Sequence, residues 1–225
     1  MTFNILWPGM RWNDERQIER DSVADGGEAV FYDREVDVPD EAYRAADAVV
    51  SVLDIPEERR HLLDRCRIFV TPKVGFDNLD IEGWGKLGMP VSNVPDYGTQ
   101  EVADHALALM MSLIRCIPMH YRMLHEDPVA NWKPPHNPLA RRLSRSVCGI
   151  VGLGRIGTAF ALRAKVLGMD VVFYDPFKPN GSDLALNVRR ADSLEELFAE
   201  SDIVSVHVPL SDETRNLINA DVLAH

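Results

Sequence analysis

Short apolar runs recur along this chain, and between them the apolar positions repeat every three to four residues. Up to Tyr97 the runs are Asn4–Trp7, Ala29–Tyr32, Ala48–Val52, Ile68–Thr71 and Pro90–Asn93, which predict strands. The helical spacings fall near Glu15–Val23, Asp40–Ala46, Glu57–Arg65 and Asp80–Leu87. Strands alternating with helices predict a parallel sheet covered on both faces. Asp96-Tyr97-Gly98 reads as a turn. A long helix follows from Thr99 to about Ile117, with Val102, Ala106, Leu109, Met110, Leu113 and Ile114 at helical spacing, and it stops before Pro118. Met119–Arg145 is rich in proline, histidine and basic residues and is expected to be irregular. A second unit begins at Ser146. It offers strands at Cys148–Val151, Val171–Tyr174 and Ile203–His207 and a helix over 156–167. A further helix is expected at Ser193–Glu200, where Ser193 and Glu196 stand at capping-box spacing. The chain thus divides into residues 1–97 and 98–225.

The sharpest signal lies where the second unit's first strand meets its first helix. Gly152-Leu153-Gly154-Arg155-Ile156-Gly157 fills that junction, and Asp175 closes the next strand about 20 residues on. A bare glycine pattern is weak; strand, glycines, helix and acid in this order form a dinucleotide fingerprint. Gly152 allows the tight turn, Gly154 lets a pyrophosphate approach the backbone, and Gly157 lets the helix pack against the strand. The helix N-terminus offers N–H groups and partial positive charge to phosphates. Asp175 can accept both ribose hydroxyls and repels a 2′-phosphate, and Pro176 and Phe177 follow it rather than arginine. The pattern predicts NAD rather than NADP. A glycine-rich turn that binds nothing is the bland alternative.

Composition narrows the partners. A formal net charge of -11 argues against nucleic acid and anionic membrane surfaces. No apolar run approaches the roughly 20 residues of a membrane span, and the N-terminus lacks the basic and apolar regions of a signal peptide. Cys66, Cys116 and Cys148 are odd in number and widely spaced, and read as buried thiols of a reducing cytoplasm.

Four segments in sequence resemble the D-isomer-specific 2-hydroxyacid dehydrogenase family. They are Val74-Gly75-Phe76-Asp77-Asn78-Leu79-Asp80; Asn93–Thr99 with Glu101-Val102-Ala103-Asp104-His105; the Gly152–Asp175 fingerprint; and His207-Val208-Pro209-Leu210 with Glu213-Thr214. Asp96–Thr99 and the stretch from Arg163-Ala164 look most like the bacterial branch similar to C-terminal-binding protein. The resemblance implies an α/β protein with a flavodoxin-like substrate domain and an incomplete Rossmann domain, a doubly wound parallel sheet that binds NAD. It implies hydride exchange between a small 2-hydroxy or 2-oxo acid and the nicotinamide, with an Arg on the carboxylate and a His, oriented by a Glu, handling the proton. It also implies that the backbone at Val74 and Gly75 seats the carboxylate. Cofactor contacts are implied at Val74, Gly152, Gly154, Arg155, Ile156, Gly157, Asp175, His207, Val208, Pro209 and Thr214. Trp84, Trp132 and the apolar face of the long helix are candidates for a homodimer contact, or for packing within the chain.

Two departures qualify the resemblance. The family's catalytic Arg, Glu and His follow the His-Val-Pro-Leu segment, whereas the sequence ends at Ala224-His225. No catalytic residue is assigned. The chain is therefore expected to be an inactive fragment of a longer enzyme, or else a half-enzyme completed by a partner chain. Ile203–His207, an apolar run of the kind found in central buried strands, would then form an uncovered edge. Thr71-Pro72-Lys73 stands where the family places Arg, a variable residue and Gly. Lys73 is either a replacement contact for a carboxylate or phosphate, or a solvated surface lysine.

The remaining histidines get plain readings. His105 reads as a packed or surface residue, and His120, His125 and His136 lack metal-ligand spacing. Met110-Met111 reads as core. Two functional classes remain open: an NAD-dependent dehydrogenase, and an NAD-responsive binding module without catalysis.

Overall fold

The computed structural model describes residues 2–9, 16–23, 25–133, 137 and 140–225. Two compact units result, Met1–Tyr97 and Gly98–His225. Among the expectations above, those for Glu15 and His136 fall outside the described residues.

The first unit runs β1 (Phe3–Pro8), α1 (Gln17–Val23), β2 (Gly27–Tyr32), α2 (Asp40–Ala45), β3 (Ala48–Val50), α3 (Glu57–Arg60), β4 (Phe69–Thr71), α4 (Ile81–Lys86), β5 (Val91–Asn93). All pairings are parallel, in the order β2-β1-β3-β4-β5. That is the flavodoxin-like order, with the crevice for ligands outside the carboxyl ends of the strands. Leu6, Tyr43, Val49, Phe69 and Trp84 are sealed in its core. Trp84 is therefore not a dimer contact: its ring packs on Phe69 with centroids 5.1 Å apart, and its Nε1 donates to Asp54 at 2.8 Å. Helix α3 is shorter than expected. Beyond Arg60 the backbone bonds are of the tighter i to i+3 kind, Leu62 to Arg59 and Leu63 to Arg60, and these turns sink both leucines into the core.

The second unit runs α5 (Thr99–Ile114), α6 (Ile117–Glu126), β6 (Val147–Val151), α7 (Arg155–Val166), β7 (Asp170–Tyr174), α8 (Ser182–Leu186), β8 (Arg189–Arg190), α9 (Leu194–Glu200) and β9 (Ile203–Val206). Its sheet is parallel, in the order β8-β7-β6-β9. The strand order reverses at β6, which creates the switch-point crevice of a doubly wound fold. Apolar clusters cover both faces: Met110, Ile114, Phe160 and Ala164 on one side, Leu194, Leu197 and Val222 on the other. Arg163 of α7 ties α5 to this unit, bonding Asp104 at 2.6 Å and Gln100 at 2.8 Å.

Two expectations are corrected here. The long helix ends at Ile114, and Met119–Arg145 is not irregular throughout, because Pro118 begins α6 rather than merely ending α5. Proline suits the first turn of a helix, where its missing N–H has no partner to lose. Cys116 takes a left-handed turn (φ 55°) at the break, and the two helix axes differ by 56°. Helix α8 and strand β8 are additional elements, for which the sequence analysis names no candidate. Strand β9 lies at the edge of the described sheet, the position expected of Ile203–His207, and stops one residue earlier at Val206, which is 47% exposed.

Two smaller points concern caps and thiols. Ser193 caps α9 by accepting from Glu196 N at 3.1 Å, but Glu196 reaches back to Asp192 N, one residue before the cap. Cys116 and Cys148 are buried and Cys66 half-buried, all as free thiols. Burial pushes the Cys148 thiol up to about 12. Among the described residues no single helix is long and apolar enough to cross a membrane.

Candidate functional site

Strand β6 ends by running straight into the glycine loop, and each glycine is explained by what surrounds it. Gly152 has φ +90°, and a Cβ there would lie 2.7 Å from Val208 Cγ1 and 2.9 Å from the His207 carbonyl oxygen. Gly157 sits in the first turn of α7, where a Cβ would lie 2.1 Å from the Gly152 carbonyl oxygen. Helix and turn are therefore in backbone contact. Gly154 is the opposite case: it is exposed, and nothing lies within 4 Å of where its Cβ would be. Gly154 is also the N-cap of α7 and supplies no side-chain acceptor. Among the described residues the amides of Gly154 and Ile156 meet no acceptor, which leaves donors of the helix N-terminus open to an incoming anion.

Asp175 ends β7 beside this loop. Its Oδ2 accepts from Leu153 N at 2.8 Å and its Oδ1 from Phe177 N at 3.0 Å. Two amides orient the carboxylate and leave lone pairs on both oxygens for further donors. The turn after β9 forms the facing wall. There Thr214 Oγ1 accepts from Ser211 N at 2.8 Å and donates to the Pro209 carbonyl at 2.6 Å, which locks the His207–Thr214 loop. Gly152, Gly154, Asp175, His207, Val208, Pro209 and Thr214 line one cleft of about 440 Å³. Among the other fingerprint residues, Ile156 turns toward the α5–α7 core and the Arg155 side chain is exposed. The His207 ring is half-buried, 2.9 Å from Ser205 Oγ and 5.2 Å from the Phe160 ring. Burial holds its pKa below the usual histidine value, so the ring is neutral near pH 7.

Lys73, Val74 and Gly75 lie in the other unit, in the loop after β4. The loop is fastened at several points. Lys73 O accepts from Val94 N at 3.2 Å, Val74 O accepts from Asn93 Nδ2 at 2.8 Å, and Asn78 Nδ2 donates to the Val52 carbonyl at 3.2 Å. The Lys73 ammonium donates to Asn78 Oδ1, a neutral acceptor, and so keeps its charge uncompensated by that bond. Among the described residues the amides of Val74 and Gly75 meet no acceptor. Just before the loop, the Thr71 hydroxyl is fully buried and unpartnered.

One part of this region escaped sequence reasoning. Asp54 accepts from Asp80 N at 2.7 Å, Trp84 Nε1 at 2.8 Å and Arg60 at 3.0 Å, while Arg60 also bonds Asp80 at 2.7 Å and lies over the Trp84 ring. Arg60 and the Gly83 amide hold the Asp80 carboxyl below the usual carboxylate range. This network fixes the far end of the loop, and no spacing in the sequence announces it. His105 is exposed, His125 stacks on Tyr121, and the described residues contain no metal-binding cluster.

Residues 107–225 match the model for the NAD-binding domain of the D-isomer specific 2-hydroxyacid dehydrogenases. The chain belongs to this family. It is 38% identical over 152 residues to C-terminal-binding protein 1 of Caenorhabditis elegans, covering 66% of this chain and 21% of that protein. It is 36% identical over 188 residues to a glyoxylate reductase of Korarchaeum cryptofilum (strain OPF8), covering 81% of this chain and 55% of the relative. The chain thus spans about half or less of these relatives' lengths. Among solved family structures, D-lactate dehydrogenase from Aquifex aeolicus, complexed with NAD and lactic acid, superposes with a TM-score of 0.78 at 28% identity. That match covers 98% of this chain and 65% of that one. An NADPH-dependent glyoxylate/hydroxypyruvate reductase from Sinorhizobium meliloti, in complex with NADP and malonate, gives 0.81 at 27% identity, covering 100% and 68%. Membership makes the α/β architecture with a Rossmann NAD-binding domain the family's own. Of these two neighbours, the first holds NAD and the second NADP.

Proposed function

We propose that this chain belongs to an oxidoreductase that moves a hydride between a small 2-hydroxy acid and NAD. The observation that carries the reading is the cleft in which Gly152, Gly154 and the open α7 amides face the oriented Asp175 carboxylate. These groups fit a dinucleotide: amides and helix N-terminus for the pyrophosphate, carboxylate for the adenosine ribose hydroxyls, and a locked wall at His207, Val208, Pro209 and Thr214 for the remainder. When bound, NAD would supply the hydride acceptor; the protein supplies charge, orientation and proton handling. Arg155 and Ile156 serve through their backbone at the helix start.

Substrate contacts in this reading come from Lys73 and from the amides of Val74 and Gly75. An ammonium and two open N–H groups on one fastened loop suit a carboxylate. Residues 1–97 are then the substrate domain and 98–225 carry the cofactor. A net charge of -11 suits a small-molecule enzyme of the cytoplasm better than a nucleic-acid or membrane binder. Leu109, Leu113, Ile117 and Tyr121 leave an apolar face for a homodimer. General acid–base groups for the 2-hydroxyl are not among the residues assigned, and the 225-residue chain by itself is expected not to turn over.

Isothermal titration with NAD and NADP tests the reading. NAD should bind and NADP should bind more weakly; binding of neither, or of both equally, would overturn it. A second reading, an NAD-responsive binding module, draws on the similarity to C-terminal-binding protein 1. It predicts the same NAD binding, but no 2-oxo acid binding to the NADH-loaded protein.

A further inference from the structure

Among the described residues Arg60 is the one buried lysine or arginine, its side chain 8% exposed. Its guanidinium closes a ring of hydrogen bonds. Nη2 donates to Asp54 Oδ2 at 3.0 Å, Nη1 donates to Asp80 Oδ2 at 2.7 Å, and Asp80 N donates to the same Asp54 Oδ2 at 2.7 Å. Nε donates to the Ile55 carbonyl at 3.0 Å, and the guanidinium lies 4.7 Å from the centre of the Trp84 ring. Taking a guanidinium out of water is costly, and apolar side chains fill a core at least as stably as a buried ion pair. Packing alone does not call for a charge here, and the other members of the ring show what it holds.

The ring grips Asp80, which ends the loop after β4 and is the N-cap of α4. Two residues earlier, Asn78 Nδ2 donates to the Val52 carbonyl at 3.2 Å, and Asn78 Oδ1 accepts from the Lys73 ammonium. The start of the loop is tied to Val94 N and to the Asn93 side chain. The loop is therefore an arch with two fixed feet, and Lys73 at one foot is aimed by Asn78 near the other. An unrestrained lysine spreads its charge over many rotamers, and ordering it on binding weakens affinity. Asn78 occupies one of the ammonium's three donors and leaves two for a carboxylate. We propose that Arg60 is a positioning residue for the substrate anion: its bridge between Asp54 and Asp80 sets the place of Asn78, and through Asn78 that of the Lys73 ammonium. Arg60 itself touches no ligand. The proposal rests on the reading of Lys73 as a carboxylate contact.

A double-mutant cycle tests it: wild type, Arg60→Lys, Lys73→Ala and the two together, each loaded with NADH and titrated calorimetrically with oxamate, which carries a carboxylate beside a carbonyl and no reducible ketone. Lysine keeps the charge at 60 but lacks the planar fork that bridges two carboxylates. Arg60→Lys should raise the oxamate Kd about fivefold or more when Lys73 is present, and by less than about twofold in the Lys73→Ala background. NAD affinity should hold throughout. A residue that only stabilises the fold would lower the urea midpoint and leave oxamate affinity of the folded protein unmoved, or shift it equally in both backgrounds. Should Arg60→Lys fail to fold, Asp80→Asn takes its place in the cycle. Asparagine caps a helix about as well as aspartate, so α4 keeps its start while the charged contact with Arg60 is lost, and oxamate affinity should fall in the same Lys73-dependent way. Equal Kd ratios in the two backgrounds, or wild-type oxamate affinity in the folded variants at 60 or 80, would overturn the positioning role and leave the reading of Lys73 standing. A wild-type chain that binds NADH but not oxamate would overturn the reading of Lys73, and the proposal with it.

Discussion

Substituting Gly157 by alanine sets two well-measured effects against each other. In an open helix position, alanine is favoured over glycine by about 0.8–1.0 kcal/mol. At 157 the new methyl would stand 2.1 Å from the Gly152 carbonyl oxygen, 3.1 Å from its carbon and 3.4 Å from Ile150 Cγ2. The first two are backbone atoms, so no rotamer change relieves them. Helix α7 must back away from the β6 turn, and forced expansion of a packed contact costs about 1–3 kcal/mol. The clash wins, leaving the protein less stable by up to about 2 kcal/mol despite the better helix former. Moving α7 also draws its amides from the cleft; losing one charge-assisted hydrogen bond is worth about 1.5–3 kcal/mol, roughly 10- to 150-fold in NAD affinity. Two control variants isolate these terms. Gly85→Ala, in helix α4 with nothing within 4 Å, should stabilise by about 0.4–1 kcal/mol. Gly154→Ala meets no protein atom and should cost at most about 1 kcal/mol, through the poorer N-cap, while still losing NAD affinity. Urea unfolding followed by circular dichroism, beside NAD titration, reads all three. A Gly157→Ala protein as stable as wild type with NAD affinity intact would refute the reasoning.

Three further outcomes are expected. Asp175→Asn removes the charge that repels a 2′-phosphate and should narrow the preference for NAD over NADP by about tenfold or more in parallel titrations; an unchanged ratio would move discrimination elsewhere. Lys73→Ala should weaken binding of a 2-oxo acid anion to the NADH-loaded protein by about 1.5–3 kcal/mol while NAD affinity holds; an unchanged anion affinity would return Lys73 to the role of a solvated lysine. His207 has a folded-state pKa lowered by burial, so the unfolded chain takes up the proton first as pH falls. Its contribution to stability should be intact above the unfolded value near 6.5 and be lost between that pH and its lower folded pKa, and His207→Gln should flatten that part of a pH–stability curve.

What could be read from the sequence depended on whether a signal was local. Strands of a parallel sheet are apolar on both faces, so β1, β6 and β7 appear as runs whose predicted ends fall within a residue or so of those observed. The glycine fingerprint is local for the same reason: each glycine answers to a contact made within a few residues or in the next strand. Helix α6 was missed because a proline and two histidines look like loop composition, while the helix needs only one apolar face and a first turn that tolerates Pro118. The short strand β8 carries two arginines, and nothing in Arg189-Arg190 suggests a strand until Asp170 and Glu200 pair with the first and the Phe173 ring receives the second. The Asp54–Arg60–Asp80–Trp84 network joins residues up to 30 positions apart. Its groups are charged or polar, and only the fold shows that they are paired rather than solvated.

The residues that carry the proposed chemistry share a position in the architecture. Lys73 to Gly75 follow β4, Gly152 to Gly154 follow β6, Asp175 follows β7 and His207 follows β9. A parallel ladder consumes backbone donors along its length and releases them where the strand ends. Some released amides are taken up again, as Leu153 N is by the Asp175 carboxylate. Among the described residues those of Val74, Gly75, Gly154 and Ile156 are not. An N–H left without a partner near the surface waits for water or an anion. In a chain of net charge -11 the long-range field offers an anion nothing, so recognition must come from donors within hydrogen-bonding distance. Both proposed ligands meet that condition: a pyrophosphate at the start of α7, and a carboxylate at the loop after β4. The acidic surface and the anionic ligands are compatible because the sheet ends supply short-range donors.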